Sequence, residues 1–367
     1  MDESCRVAAM HVSPIFLETE KTVDKVCLLI AEAAEHGAKL IAFPEAFIPA
    51  FPLWSSIRAP IFNHDFFRRL AASAVRVPGP EIRRIAQVAK RHEVTVSLGL
   101  NEGTVASVGC IWNCNIIIGH DGRLLNHHRK IVPTYFEKMA WANGDGAGLR
   151  VVETPVGRLG MLICGENGNP LARYTLMAQG EQIHIASYPS LWPNGGDYSL
   201  PDAIRIRASA HSVEAKVFTV VSSSFLTEDV KDLICDGNKG LRDIIDRCPR
   251  TESLVIGPNG EQKGPVLRDE EGIVYADIKL ADCVLPKQFH DVVGYYNRFD
   301  IFKLTVDRST NNPVVFEAPT NERALSADLT NDDEDYSPRC TRRSSDRQQE
   351  TKLTLSSESF SRSVSSN

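Results

Sequence analysis

Residues 159–167, LGMLICGEN, join an apolar run to a thiol, a glycine, an acid and an amide. The apolar residues predict a buried strand, and Gly165 directly after the thiol predicts a sharp turn at the end of that strand. A cysteine at such a turn can attack an electrophilic carbon. Taken alone, Cys164 fits a buried core residue better, so its function depends on the partners that the rest of the chain supplies.

Two other predicted strands end in side chains that a reactive thiol needs. Glu45 follows residues 39–43, and Lys130 follows residues 123–128. Chemistry gathers at the carboxyl ends of strands in an α/β sheet, so one sheet is expected to bring Glu45, Lys130 and Cys164 together. Singly, Glu45 also fits a helix cap or a surface acid, and Lys130 a solvated basic pair. Together the three supply a nucleophile, a base and a cation.

The chemistry of this set follows from its charges. A thiol with a pKa of ~8.5 is mostly protonated at neutral pH. The Glu45 carboxylate can act as general base, while the Lys130 ammonium favours the thiolate and stabilises negative charge on a substrate. The backbone N–H of Gly165 can add to an oxyanion-type site. Glu166 fits an ion pair or an acceptor of backbone N–H groups, and the nearby histidine pair at 127–128 leaves a Cys-His protease as a weaker alternative.

Strands and helices are predicted to alternate, which indicates an α/β layered domain with helices covering the sheet faces. A tight hairpin is expected at Asp121-Gly122. One catalytic domain is predicted over residues 1–320. Residues 321–367 are rich in serine and charge, which predicts a disordered, solvated tail, with phosphorylation or partner docking as the alternative. Strands are predicted at 7–12, 39–43, 94–100, 111–119, 123–128, 151–152, 158–163, 183–187 and 216–222 and near 254 and 274, and helices at 19–36, 66–74, 80–92, 169–179 and 201–214.

Composition excludes several classes of protein. The chain has 367 residues, of which 43% are hydrophobic, so it can bury a sizeable core. A net charge of -6 argues against a nucleic-acid or membrane-surface binder, because these need a basic patch. The nine cysteines are odd in number, irregularly spaced and without a CxxC pair, which predicts reduced thiols and makes a zinc site unlikely. A soluble, cytoplasmic protein is expected.

Three ordered motifs resemble the nitrilase branch of the carbon–nitrogen hydrolase superfamily. They are GAKLIAFPEAFIPAFP at residues 37–52, HRKIVPTYFE at residues 128–137 and CGENGNPLAR at residues 164–173. The resemblance covers about residues 5–310. It implies a four-layer αββα sandwich that pairs helix face to helix face in an eight-layer αββααββα homodimer, with larger spiral homo-oligomers in many nitrilases.

The resemblance also implies a role for each residue of the three motifs. Cys164 is expected to be the nucleophile, Glu45 the general base, Lys130 the stabilising cation, and Glu137 a second structural or catalytic glutamate. The implied reaction converts an organic nitrile to a carboxylic acid and ammonia through a Cys164 thioimidate and thioester. Some amide by-product is compatible with it, and no metal or organic cofactor is needed.

The substrate is defined less sharply. Many family members carry tryptophan where this chain has Gly165, which opens space or mobility beside the nucleophile. Gly165, Phe51, Tyr135 and Trp192 are the expected substrate-binding residues, favouring aromatic or arylaliphatic nitriles, although core packing is the commoner fate of aromatic side chains. An amidase or N-carbamoyl hydrolase of the same superfamily is the first alternative, and a catalytically silent binding scaffold is the second.

Overall fold

The computed structural model describes residues 4–194, 196 and 198–311, and all of these belong to one compact unit. The predicted tail at 321–367 lies outside the described residues. The described strands are β1 (Cys5–His11), β2 (Ala38–Ala42), β3 (Thr95–Gly103), β4 (Ile111–Ile118), β5 (Leu124–Arg129), β6 (Val152–Thr154), β7 (Gly157–Ile163), β8 (Ile183–Tyr188), β9 (Phe218–Ser223), β10 (Ser253–Ile256), β11 (Gln262–Leu267) and β12 (Gly272–Ile278). The described α-helices are α1 (Thr19–Glu35), α2 (Trp54–Ile57), α3 (His64–Ser73), α4 (Pro80–His92), α5 (Pro170–Met177), α6 (Leu200–Ala215), α7 (Glu228–Cys235), α8 (Lys239–Arg247) and α9 (Val284–Phe289).

These strands form two mixed sheets of six strands each. The first has the order β12-β1-β2-β3-β4-β5, and the second has the order β11-β10-β9-β8-β7-β6. Three neighbouring strands run parallel in the middle of each sheet, β1-β2-β3 in the first and β7-β8-β9 in the second. Strand β5 pairs antiparallel with β4, which pairs antiparallel with β3, so β5 runs in the same direction as β2.

The two sheets are stacked, with a helical layer on each outer face. Helices α1 and α4 pack against each other on the first sheet, while α5 and α6 pack on the second. Apolar side chains of both sheets, among them Val7, Leu40, Met161 and Val220, share one buried cluster between the layers. This is the expected αββα sandwich, and the predicted fold class is confirmed.

Strand β1 explains why the central strands are apolar throughout. Ala8 and Met10 point towards the helical side, where they join the cluster of α1 and α4. Val7 and Ala9 alternate with them and join the cluster between the sheets. A strand that is covered on both faces carries no polar face, so its sequence reads as a continuous apolar run.

Local signals set several element ends as predicted. Helix α4 begins at Pro80, which suits the first helical turn, and ends with three basic residues followed by Glu93 in the left-handed region. Gly37, with φ +84°, follows the end of α1 and is the expected glycine after a helix. Gly122, with φ +82°, turns the chain between β4 and β5, which confirms the predicted hairpin.

Other elements were not predicted. Helices α7 and α8 precede the strand predicted near residue 254 and strand β11 follows it, and the sequence predicts none of these three elements. Within the described part of the chain, no helix combines the length and the apolar character that a membrane crossing requires.

Candidate active site

The expected catalytic side chains meet between the two sheets. Glu45 lies three residues beyond β2, and Lys130 directly follows β5, so both stand at the carboxyl edge of the first sheet. Cys164 directly follows β7 of the second sheet. The expectation that one sheet brings all three together is therefore wrong, because the site forms where the edges of two stacked sheets face each other.

Cys164 occupies a strained turn. It begins a 3-10 helix, Cys164–Gly168, with φ +47°, a left-handed backbone conformation that residues other than glycine rarely adopt. The Asn167 side chain donates to the carbonyls of Leu162 and Cys164, at 3.2 and 3.1 Å. These bonds hold the turn closed, so the thiol stays at the end of the buried strand.

Lys130 is enclosed between two carboxylates. Its Nζ donates to Glu45 Oε1 at 2.8 Å and to Glu137 Oε2 at 2.6 Å, and all three side chains are buried. Glu137 is held in turn by the backbone N–H of Thr134, at 2.7 Å. The ammonium is therefore held between both acids and away from solvent. The alternative that Lys130 belongs to a solvated basic pair is wrong.

The two carboxylate oxygens of Glu45 differ in their hydrogen bonding. Oε1 accepts from Lys130 and from the side-chain amide of Asn113, at 2.7 Å. Oε2 is buried and has no hydrogen-bond partner among the described residues. A carboxylate oxygen of Glu45, one of Glu137 and the Cys164 sulfur lie within 4.8 Å of one another. The geometry therefore presents an acceptor to the thiol.

Burial and charge set the protonation of this cluster. Burial raises the pKa of Glu45 to about 7, although Lys130 opposes the rise. Burial, with the charge of Glu45, also raises the pKa of the Cys164 thiol well above its ordinary value, outweighing Lys130. Burial disfavours charge on Lys130 too, but the two carboxylates overcome it and raise its pKa. The resting site thus holds a neutral thiol, and Lys130 alone does not produce the thiolate.

Glu166 connects the strand ends of the two sheets. Its Oε1 accepts from the backbone N–H of Ile131 at 2.7 Å, just after Lys130, and its Oε2 accepts from Ile163 at 2.8 Å, just before Cys164. His128 Nε2 lies 2.9 Å from Oε2. Burial alone raises the pKa of Glu166, but His128 and the two N–H groups outweigh burial and lower it. Glu166 therefore accepts hydrogen bonds from backbone N–H groups, which is one of the two roles that the sequence suggested. Through these bonds it connects the segment after Lys130 to the segment before Cys164.

A cavity of about 370 Å³ opens beside the thiol. Gly165, Tyr135 and Trp192 line it, and their role in substrate binding stays a prediction. Phe51 does not: its ring lies buried against Phe136 and Trp141 in an aromatic cluster and belongs to the core. The assignment of Phe51 to the substrate site is therefore corrected.

The backbone at Gly165 lies close to the Thr134 side chain, which leaves little room for a side chain at position 165. A Cβ added there lies 2.8 Å from the hydroxyl oxygen of Thr134, which is shorter than side chains tolerate. The same Thr134 accepts from the Glu137 backbone and so orients the second glutamate. The missing side chain at 165 thus lets the nucleophile turn pack directly against the segment that positions Lys130 and Glu137.

A second buried network lies behind the nucleophile turn. Glu181 contacts His184 at 2.8 Å and His211 at 2.6 Å, and His184 reaches the Asn167 side-chain oxygen at 2.8 Å. The histidines outweigh burial and lower the pKa of Glu181 to about 2. Burial lowers the pKa of His211 to about 4. This network supports Asn167, which holds the Cys164 carbonyl.

Three groups of described residues bring potential metal-ligand atoms within 4.8 Å of one another. In the catalytic group the Lys130 ammonium already bridges the two carboxylates. In the other two, carboxylates already contact histidines, Glu102 with His127 and Glu181 with its histidine pair. That the chain needs no metal stays a prediction.

Several residues at the site were not predicted from the sequence. Asn113 lies in the middle of a strand, and Arg207 lies in the middle of helix α6. Arg207 and Tyr198 nevertheless line the Cys164 cavity. Asn113 and Asn115 interrupt the apolar residues of β4, which is a local signal for buried polar side chains, whereas α6 gives no such signal for Arg207.

Comparisons with known proteins agree with the fold and the motifs. A family model described as carbon-nitrogen hydrolase matches residues 6–288. A nitrilase from Paraburkholderia phymatum is 35% identical over 322 residues, covering 87% of this chain and 91% of the relative. An aliphatic nitrilase from Rhodococcus rhodochrous is 32% identical, covering 84% of each. The crystal structure of a carbon-nitrogen hydrolase from Helicobacter pylori G27 has a TM-score of 0.63 at 18% identity, covering 82% of this chain and 97% of that one.

Proposed function

The chain belongs to the nitrilase branch of the carbon–nitrogen hydrolase family, and we propose from this premise that Cys164 attacks the carbon of an organic nitrile. The products are a carboxylic acid and ammonia. The observation that carries the proposal is a carboxylate oxygen of Glu45 within 4.8 Å of the Cys164 sulfur, because this acid supplies a proton acceptor where a buried thiol needs one, and its Oε2 has no other partner among the described residues.

The first step forms the thioimidate. Glu45 Oε2 takes the thiol proton as Cys164 Sγ bonds to the nitrile carbon. The electron pair released from the C≡N bond goes to nitrogen, which takes a proton from the cluster. Because Lys130 is fixed between two carboxylates, its charge is already in place when negative charge develops on the substrate. The Gly165 N–H adds a second donor.

The later steps use water twice. Glu45 takes a proton from the first water as its oxygen adds to the thioimidate carbon, which gives a tetrahedral intermediate. When the C–N bond breaks, the protonated nitrogen leaves as ammonia and a thioester remains. A second water, again activated by Glu45, releases the carboxylic acid and restores the thiol. If the C–S bond breaks first, the product is an amide.

We further propose that the chain acts as a homodimer or a larger homo-oligomer. Leu171 on α5 and Ile206 on α6 are 60% and 69% exposed, although both helices belong to the outer layer of the second sheet. Pairing of this layer between two copies removes these apolar side chains from water, which favours association.

A panel of aliphatic, aromatic and arylaliphatic nitriles tests the function, with ammonia, acid and amide quantified for each. We expect acid and ammonia from at least one nitrile, no turnover by Cys164→Ala, and retained turnover by Cys235→Ala, which removes another buried thiol. Hydrolysis of amides with no turnover of any nitrile assigns the chain to the amidases instead. No turnover and no selective adduct of Cys164 with an electrophilic inhibitor indicates a silent scaffold.

A further inference from the structure

The cavity beside Cys164 has a guanidinium in its wall. Arg207 of helix α6 lines this cavity with Trp192 and Tyr198. It is half-buried, and it interacts electrostatically with the Tyr198 side chain, which lines the same cavity. Among the residues that the structure describes, no carboxylate lies within 4.0 Å of it, whereas Arg205 of the same helix is paired with Glu252. A partly buried cation of this kind needs a counter-charge, which a ligand can bring.

Neighbouring groups add hydrogen-bonding capacity beside the guanidinium. The Tyr188 hydroxyl is buried and has no hydrogen-bond partner among the described residues. It interacts electrostatically with both Cys164 and Arg207. Arg207 also lies against the nucleophile turn, since a Cβ at Gly168 would be 3.4 Å from its Nε. The cation is therefore fixed close to the reacting centre.

Resting on the proposed nitrile hydrolysis, we propose that Arg207 binds a carboxylate of the substrate, so that the natural substrate class is a small nitrile that also carries a carboxylate. The planar guanidinium can pair with both oxygens of a carboxylate, and it lies in the cavity wall against the nucleophile turn at Gly168. A cavity of about 370 Å³ is at the small end of ligand sites, which suits a short acyclic cyano acid. The nitrile end then reaches Cys164 while the carboxylate end stays on Arg207.

The alternative is that Arg207 only supports the turn at Gly168. The two roles differ in how they depend on substrate charge. Loss of a structural support slows every substrate by the same factor, because it displaces the nucleophile. Loss of a carboxylate-binding group selectively weakens the charged substrate, and the effect appears mainly in KM.

The experiment compares 4-cyanobutanoate with 4-cyanobutanamide, which have the same length and differ in charge. We expect the wild-type enzyme to prefer the carboxylate. Arg207→Gln should lower kcat/KM for the carboxylate roughly 10- to 100-fold more than for the amide, as expected for loss of a hydrogen bond between charged groups. Arg207→Lys should retain part of the preference. The matched control, Arg205→Gln, removes an arginine from the same helix and should leave the preference unchanged.

Three results overturn the proposal. One is a wild-type enzyme that shows no preference for the carboxylate. Another is an Arg207→Gln variant that slows both nitriles by the same factor, which leaves nitrile hydrolysis intact and assigns Arg207 a structural role. A third is a wild-type enzyme that hydrolyses other nitriles of the panel but neither of these two, which removes this inference and keeps the proposed function; absence of turnover for every nitrile of the panel removes both. If Arg207→Gln does not fold, the preference measured for Arg207→Lys decides between the two roles.

Discussion

Replacing Glu166 by glutamine tests whether this carboxylate positions the catalytic pair. The change keeps the size of the side chain but leaves only one oxygen for two backbone N–H groups, those of Ile131 and Ile163. Whichever way the amide is turned, one buried N–H faces the new NH₂ group. The link between the segment after Lys130 and the segment before Cys164 is then broken on one side.

The structure sets the size of the effect. A buried N–H without an acceptor costs about 1–3 kcal/mol, and loss of the charge-assisted contact with His128 costs about 1.5–3 kcal/mol. The free energy of unfolding should therefore fall by about 2.5–6 kcal/mol, which for a domain of this size lowers the melting temperature by roughly 4–9 °C. Displacing the nucleophile by about 1 Å can lower kcat on the order of 100-fold.

Thermal unfolding and steady-state ammonia release measure the two effects. The control is Glu102→Gln, which alters another buried carboxylate held by Arg129 and His127. Glu102 lies on β3, and its side chain binds His127 and Arg129 of β5 in the same sheet, so these contacts do not connect the two sheets. We expect the control to lose stability while it keeps most of its kcat. A Glu166→Gln enzyme with wild-type kcat and melting temperature would refute the positioning role.

Three further outcomes follow from the site. For Glu45, a pKa of about 7 predicts that kcat/KM falls about tenfold per pH unit below pH 7, because the protonated acid cannot accept the thiol proton; a profile flat down to pH 5 contradicts this. For Gly165→Ala, the new Cβ meets a threonine hydroxyl, so denaturant titration should show a loss of about 1–3 kcal/mol, and unchanged stability refutes the close approach. Joint replacement of Leu171 and Ile206 by aspartate should shift the light-scattering mass towards the monomer, whereas an unchanged mass locates the interface elsewhere.

Local sequence signals predicted much of the fold for physical reasons. Proline and glycine restrict the backbone whatever surrounds them, so the start of α4 and the turn at Gly122 follow from sequence. The central strands read as apolar runs because both their faces are covered. Strand β11 lacks this pattern, since its residues are exposed or half-buried, and for that reason it was missed.

From the residues alone the site was predictable where a side chain follows a strand end, and the family resemblance added Glu137. Glu45, Lys130 and Cys164 carry that signal, and the structure brings them together. Their division between two sheets does not follow from sequence, because stacking is decided by contacts between residues far apart in the chain. Contacts between distant residues also decide that Phe51 packs into the core instead of the substrate cavity. They likewise place Arg207 in the cavity wall, because its position depends on how α6 lies across its sheet.

The most direct test of the central claim is the mass of the enzyme during turnover. Acid quenching within the first turnovers with a hydrolysed nitrile, followed by intact mass and peptide mapping, detects a thioester that forms faster than it is released. We predict an added mass equal to the acyl group of the product, located on the peptide that contains Cys164 and absent from Cys164→Ala. Turnover with the acyl group on a different cysteine, or undiminished turnover by Cys164→Ala, would contradict the account.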